Sequence, residues 1–326
     1  MQFPLSRLVK ASMVCGMTKR FPTVALLSLA SLFVVSCGND DAIALAGTMN
    51  GGSGEGEAIY QKAKSSDDAG KSDKAVKLYK EVADDFPMEP SAAQARFRQA
   101  EILEQKGDTI ASFKAYQQFL QRYPSSNLYT KALNSQVKMT QAAADGKVKL
   151  SFLGLKSKIS TDKIVEMLGQ LRDNAPRSEI SANAQFSIGE IHQSEKDHRE
   201  SVDAFRKLVK DQPDTRQAAE ALFRVGIVLL EQADAGNHNQ ATLDLAREAL
   251  NDYLIQYPSH PKNGEARKLL GVLSGRDLDR SLDIAKFYDR TGQTESAKVY
   301  YRDILKSSKT GRAYDYAKNR LKELGE

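Results

Sequence analysis

The chain has 326 residues, ordinary apolar content, no tryptophan and a formal charge of +5. Arg7, Lys10, Lys19 and Arg20 precede Cys37 with no acidic residue among them, so the remainder balances 43 basic against 42 acidic groups. A body so close to neutral lacks the concentrated Lys and Arg that phosphate neutralisation needs, which argues against nucleic acid as its main partner. Cys15 and Cys37 both lie in the first 37 residues, so the rest has no disulfide, reactive thiol or thiolate metal site.

Residues 1–37 read as an export signal. Lys19 and Arg20 form a short basic start, and the run from Phe21 to Val35 is apolar but too short and too broken by serine to span a bilayer stably. It ends in Val34-Val35-Ser36-Cys37, which resembles a bacterial lipoprotein lipobox. That resemblance implies a lipidated Cys37 at the mature amino terminus, with several acyl chains where one would hold only marginally. Gly38 follows in place of the Asp that marks inner-membrane retention in some bacteria, so the expected address is the outer membrane, facing the periplasm. Residues 38–56 are small, polar and Gly-rich, and read as a flexible tether.

From about residue 57 to 326 a helical repeat takes over. Gly70 leads to Pro87 and Gly107 to Pro124, seventeen positions on; Lys196 leads to Pro213 at the same distance, with Asp197 expected to take the turn. An aromatic stands eight residues before each of these prolines: Tyr79, Tyr116 and Phe205. The preceding helices share a second signature, in which Phe97, Phe186 and Phe223 each stand three residues before Ala100, Gly189 or Gly226. Such self-similarity predicts stacked helical hairpins, none able to bury its apolar stripe without a neighbour.

Hairpins are expected at about 57–86, 91–123, 179–212 and 216–257. The third unit departs from the frame, because Gly146 and Pro176 are thirty residues apart and an inserted loop fills 147–159 before a helix from about Thr161. A sixth unit combines a stretch from about 263 with Arg280 to Thr291, turns at Gly292 and continues through Tyr301. Residues 312–323 read as a capping helix. The expected fold is thus all-α: a right-handed α-solenoid of about six hairpins with a C-terminal cap.

These features resemble the tetratricopeptide repeat, which implies a scaffold for other proteins and no catalysis. With the lipobox, the chain is similar to the BamD-like family of outer-membrane β-barrel assembly lipoproteins. The supporting details are the aromatic-Pro repeat ends at Tyr123-Pro124 and Tyr257-Pro258, and the segment from about 264 to 301, which resembles the family's long penultimate helix and turn with Ala285, Phe287, Tyr288 and Gly292 at matching spacing. The resemblance implies binding of the central, BamA-like barrel-assembly protein through the C-terminal repeats and of unfolded outer-membrane proteins through the N-terminal ones. Six units and the insertion depart from the family's usual five. Another envelope adaptor, for Tol–Pal coordination or polysaccharide export, is the alternative class.

In such repeats the first helix of each hairpin lines a groove. Helical spacing puts Glu101, Glu104 and Gln105 there in the second unit, and Glu190 and Gln193 in the fourth, as peptide-binding candidates or as a solvated face. Phe97, Phe186 and Phe223 are expected in the core between helices. In the insertion, Lys147, Lys149, Lys156 and Lys158 surround Phe152 and other apolar residues; this is a candidate contact with a partner or with anionic lipid.

Enzyme readings lack support. His192, His198, His238 and His260 have no metal-ligand spacing, so no metal, cofactor or small-molecule substrate is expected. Ser135-x-x-Lys138, Ser181-x-Asn183 and Lys309-Thr310-Gly311 match the order of penicillin-binding motifs, but that chemistry needs a sheet edge beside the serine, and the Lys-Thr-Gly falls between two helices.

Overall fold

A computed structural model describes residues 54–152, 155–236 and 239–326; Cys37, the export signal and nearly all of the expected tether lie outside them. Among the described residues, thirteen helices pair in sequence: α1 (Glu55–Asp68) with α2 (Ser72–Asp85), α3 (Ala92–Gln105) with α4 (Thr109–Arg122), and α5 (Tyr129–Ala144) with α6 (Thr161–Asn174). Then follow α7 (Glu179–Glu195) with α8 (His198–Asp211), α9 (Arg216–Ala235) with α10 (Gln240–Gln256), α11 (Asn263–Arg290) with α12 (Thr294–Ser307), and α13 (Arg312–Glu323). The architecture is the expected α-solenoid of helical hairpins with a terminal helix.

One closure recurs at the hairpin turns. Gly70, Gly107, Gly146 and Gly292 sit at φ between 66° and 76°, the left-handed region that ends a helix without a Cβ penalty. Each donates its N–H to the carbonyl three residues back, and the next residue donates to the carbonyl five back, as in Gly107 to Glu104 at 2.9 Å and Asp108 to Leu103 at 3.0 Å. In the fourth hairpin the expectation needs correcting: Lys196 itself takes the turn at φ 66°, with the same two bonds, and Asp197 only precedes α8. A side chain in that conformation costs roughly 1–2 kcal/mol, partly offset by the greater entropy glycine loses on folding. Lys196→Gly is therefore expected to stabilise the chain by about 0.5–1 kcal/mol, read as a higher urea midpoint.

The repeat aromatics form the hairpin cores. Tyr79, Tyr116, Phe205, Tyr253 and Tyr301 are all buried. Tyrosine hydroxyls reach the first helix twelve residues back: Tyr116 donates to Glu104 at 2.9 Å and Tyr301 to Asp289 at 3.2 Å. Ser112 and Ser201 repeat this offset, donating to the carbonyls of Ala100 and Gly189 at 2.9 Å. Gly189 has a steric reason to lack a side chain, since a Cβ there would stand 2.5 Å from the Phe205 ring.

One segment differs from the sequence-based expectation. The insertion is no simple loop: Lys149–Phe152 (β1) and Leu155–Lys158 (β2) pair antiparallel, with Lys149 opposite Lys158 and Phe152 opposite Leu155. Its roots are fixed, since Val148 packs on the core and Ile159 is buried. The sixth unit begins with one continuous helix, α11, of 28 residues. Its first half closes one core through Ala266 and Leu273, and its second half opens another through Leu282 and Ala285.

Candidate protein-interaction surfaces

Polar pairs cross-link most neighbouring odd-numbered helices. Arg98 on α3 grips Asp67 on α1 with two bonds, at 2.7 and 3.2 Å, and Lys131 on α5 reaches Glu101 on α3 at 2.8 Å. Further along, Gln217 on α9 donates to Asn183 on α7 at 2.6 Å, and Arg224 donates to Gln193 at 3.0 Å and Glu190 at 3.3 Å. Lys262 bonds Glu220, Arg276 bonds Asp234, and Arg320 on α13 grips Asp289 on α11 at 2.6 and 3.0 Å. Those Arg320 bonds hold the Asp289 carboxyl below its usual pKa. Partly exposed ion pairs of this kind contribute about 1 kcal/mol each, and they fix the register of successive hairpins.

Most groove residues expected from the sequence lie in this lattice. Glu101 accepts from Arg98 and Lys131, Glu104 from Tyr116, and Glu190 from Arg224, while Gln193 bridges Arg224 and Glu231. Gln105 is exposed. The four acceptors thus face protein donors before any ligand arrives. Lys147 and Lys158 are exposed at the hairpin root, where Lys147 bonds Asp145 at 2.7 Å. Lys149, Phe152 and Lys156 have strand positions, but their side chains lie outside what the structure describes.

Two of the clefts beside the lattice could seat a partner. The larger, about 810 Å³, lies where the second half of α11 runs past the start of α10, and Arg276, Asp279, Arg280, Asp283, Ile284 and Phe287 line its α11 side. Arg280 is steadied by Gln240 at 2.6 Å, Phe287 is 53% exposed, and Tyr288 stacks on Tyr300 at 5.6 Å. An aromatic edge among charges of both signs fits a protein partner better than a small apolar ligand.

The smaller, about 560 Å³, lies among the opening turns of α7, α9 and the loop into α11. Here the reading of the three phenylalanines needs qualification. Phe97 and Phe223 are buried, and a lysine of the next first helix caps each ring: Lys131 at 5.0 Å and Lys262 at 5.1 Å. Phe186 is only half-buried and lines the cleft.

Sequence reasoning missed two buried polar clusters. Arg96 is buried and bonds Asp84 and Gln99. Burial pushes the Asp84 carboxyl up, but hydrogen bonds from Lys80 and Arg96 outweigh it and hold the group below its usual pKa. Gln117, Gln136 and Asn174 form an amide network that ties α4, α5 and α6 together.

This geometry defines a tetratricopeptide-type helical scaffold, a class that carries protein-interaction surfaces and is generally non-enzymatic. Tetratricopeptide-repeat profiles match residues 60–127 and 183–215, the first two hairpins and the fourth. The chain is also 22% identical over 149 residues to the outer membrane protein assembly factor BamD of Caulobacter vibrioides, a match covering 46% of this chain and 49% of that protein. It thus spans about half the length of this curated relative. Among solved structures, it is similar to MamA at 16% identity, covering 64% of this chain and 93% of that one with a TM-score of 0.31. A tetratricopeptide repeat protein of Parabacteroides merdae follows at 13% identity, 82% and 97% coverage, and a TM-score of 0.29.

Proposed function

We propose that the chain is a lipid-anchored adaptor, facing the periplasm from the outer membrane, that serves assembly of outer-membrane β-barrel proteins. The observation that carries this reading is the similarity to the assembly factor BamD, joined to a repeat scaffold with a partner-sized cleft at its C-terminal end. The lipobox at Cys37 supplies the anchor. The α10–α11 cleft, with Phe287 as its exposed aromatic, takes a large BamA-like assembly protein, and the N-terminal first helices meet unfolded barrel chains. Binding energy concentrates on buried aromatic and Arg anchors, and Phe287, Arg276 and Arg280 supply both kinds.

A photo-crosslinking residue in place of Phe287 or Arg312, in the native host, tests the assignment. Arg312 stands exposed at the start of α13. The expected adduct is a large barrel protein with periplasmic domains. Adducts only with peptidoglycan-associated proteins would move the chain to a Tol–Pal type of role.

A further inference from the structure

The exposure of Phe186 sets the fourth hairpin apart. In the other two frames that carry this phenylalanine, a lysine from the following first helix closes the ring face. Among the described residues no lysine lies over the Phe186 ring: Glu220 lines the cleft there, and the cleft's Lys262 sits over Phe223 and engages Glu220, which Arg224 also reaches at 3.5 Å. The ring therefore looks into open space of about 560 Å³, floored also by Pro261 and by the His260 imidazole. That imidazole is held by the Tyr253 hydroxyl at 2.6 Å, so the floor is preformed.

The rim has its own chemistry. Arg216 lines the cleft, is exposed and has no partner among the described residues. The bond from Gln217 Nε2 to Asn183 Oδ1 leaves a second donor on Asn183 Nδ2 and an acceptor on Gln217 Oε1. A donor and an acceptor on two adjoining side chains suit one peptide group, which carries one of each. The unpaired Arg216 and the nearby Lys262 disfavour a cation over the ring and favour a carboxylate beside it.

We infer that this cleft holds a short extended segment of a partner protein in which an apolar side chain stands next to an acidic one. The apolar side chain covers Phe186, the neighbouring peptide group bonds Asn183 and Gln217, and the carboxylate pairs with Arg216. The site is separate from the α10–α11 cleft and does not depend on which assembly the chain serves.

Fluorescence anisotropy with the full chain in detergent tests it, using labelled peptides Gly-Glu-Phe-Glu-Gly, Gly-Glu-Ala-Glu-Gly and Gly-Lys-Phe-Lys-Gly. The first is expected to bind at least about tenfold more tightly than the other two, and Arg216→Glu to weaken it by about tenfold or more while Arg216→Lys stays close to wild type. Phe186→Ala is expected to remove the preference for Phe over Ala. Its urea midpoint is measured in parallel because Phe186 also meets Phe205 at 5.3 Å. Exposed Arg216 carries no such risk. Equal or stronger binding of the lysine peptide, no response to Arg216→Glu, or no binding of the acidic peptide at millimolar concentration would overturn the inference.

Discussion

Phe205→Ala is expected to lower the unfolding free energy by about 3–5 kcal/mol. The ring is fully buried and fills the space left by Gly189 on the facing helix, so truncation opens a void that two rigid helices cannot close. Because each hairpin leans mainly on its neighbours, the damage should appear first as faster amide exchange across α7 and α8. Gly189→Ala probes the same contact from the other side. The clash with the ring costs about 1–3 kcal/mol, of which the better helix propensity of alanine returns up to about 1. Combined, the two changes should cost less than their separate effects added, since the smaller side chain at 205 makes room for the new methyl. Additive effects in urea melts would show that the two residues do not share this contact.

Asn174→Ala is expected to cost about 2–4 kcal/mol and to loosen α6 selectively. Asn174 Nδ2 donates to Gln117 at 2.6 Å and Gln136 at 2.9 Å, Asn174 accepts from Gln117 at 3.0 Å, and its carbonyl takes the Tyr129 hydroxyl at 2.7 Å. Gln136 is fully buried, so removing the amide strands polar atoms where water is excluded. Tyr129→Phe removes one bond and should cost about 1 kcal/mol. Hydrogen exchange read on α6 separates the two variants. An Asn174→Ala chain as stable as wild type would mean that this network does not secure the unit carrying the insertion.

The helical frame was legible because its signals are local. A left-handed turn residue, a proline just past the ends of α2, α4, α6, α8 and α10, and a small residue facing an aromatic all follow from neighbours within one hairpin, so the helix limits fell close to expectation. Lys196 shows how far such signals reach: glycine is the usual answer at that turn, yet the surrounding bonds impose the same conformation on lysine. The β-hairpin was harder to read, since each strand has four residues, too few for alternation to stand out among the lysines. The long α11 was legible through the family resemblance and not through its own periodicity, which Gly271, Gly275 and a charged run blur.

The candidate surfaces were least legible, for a geometric reason. Spacing identifies which face of a first helix looks toward its neighbour, but not which residue of the next hairpin meets it. Connections of unequal length shift that partner, so Asp67 finds Arg98 while Glu220 finds Lys262. Helical spacing assigns Glu101 and Glu190 to the groove side, but their engagement by Lys131 and Arg224 is a tertiary fact. The half-open Phe186 had no signal of its own, because its local sequence matches that of the buried Phe97 and Phe223.

The assembly role is tested most directly by depleting the chain from its native host and measuring folded β-barrel proteins in the outer membrane by their heat-modifiable mobility. The account predicts a broad fall in folded barrels, restored by the wild-type chain and not by Cys37→Ser. An undiminished complement of folded barrels after full depletion would contradict it.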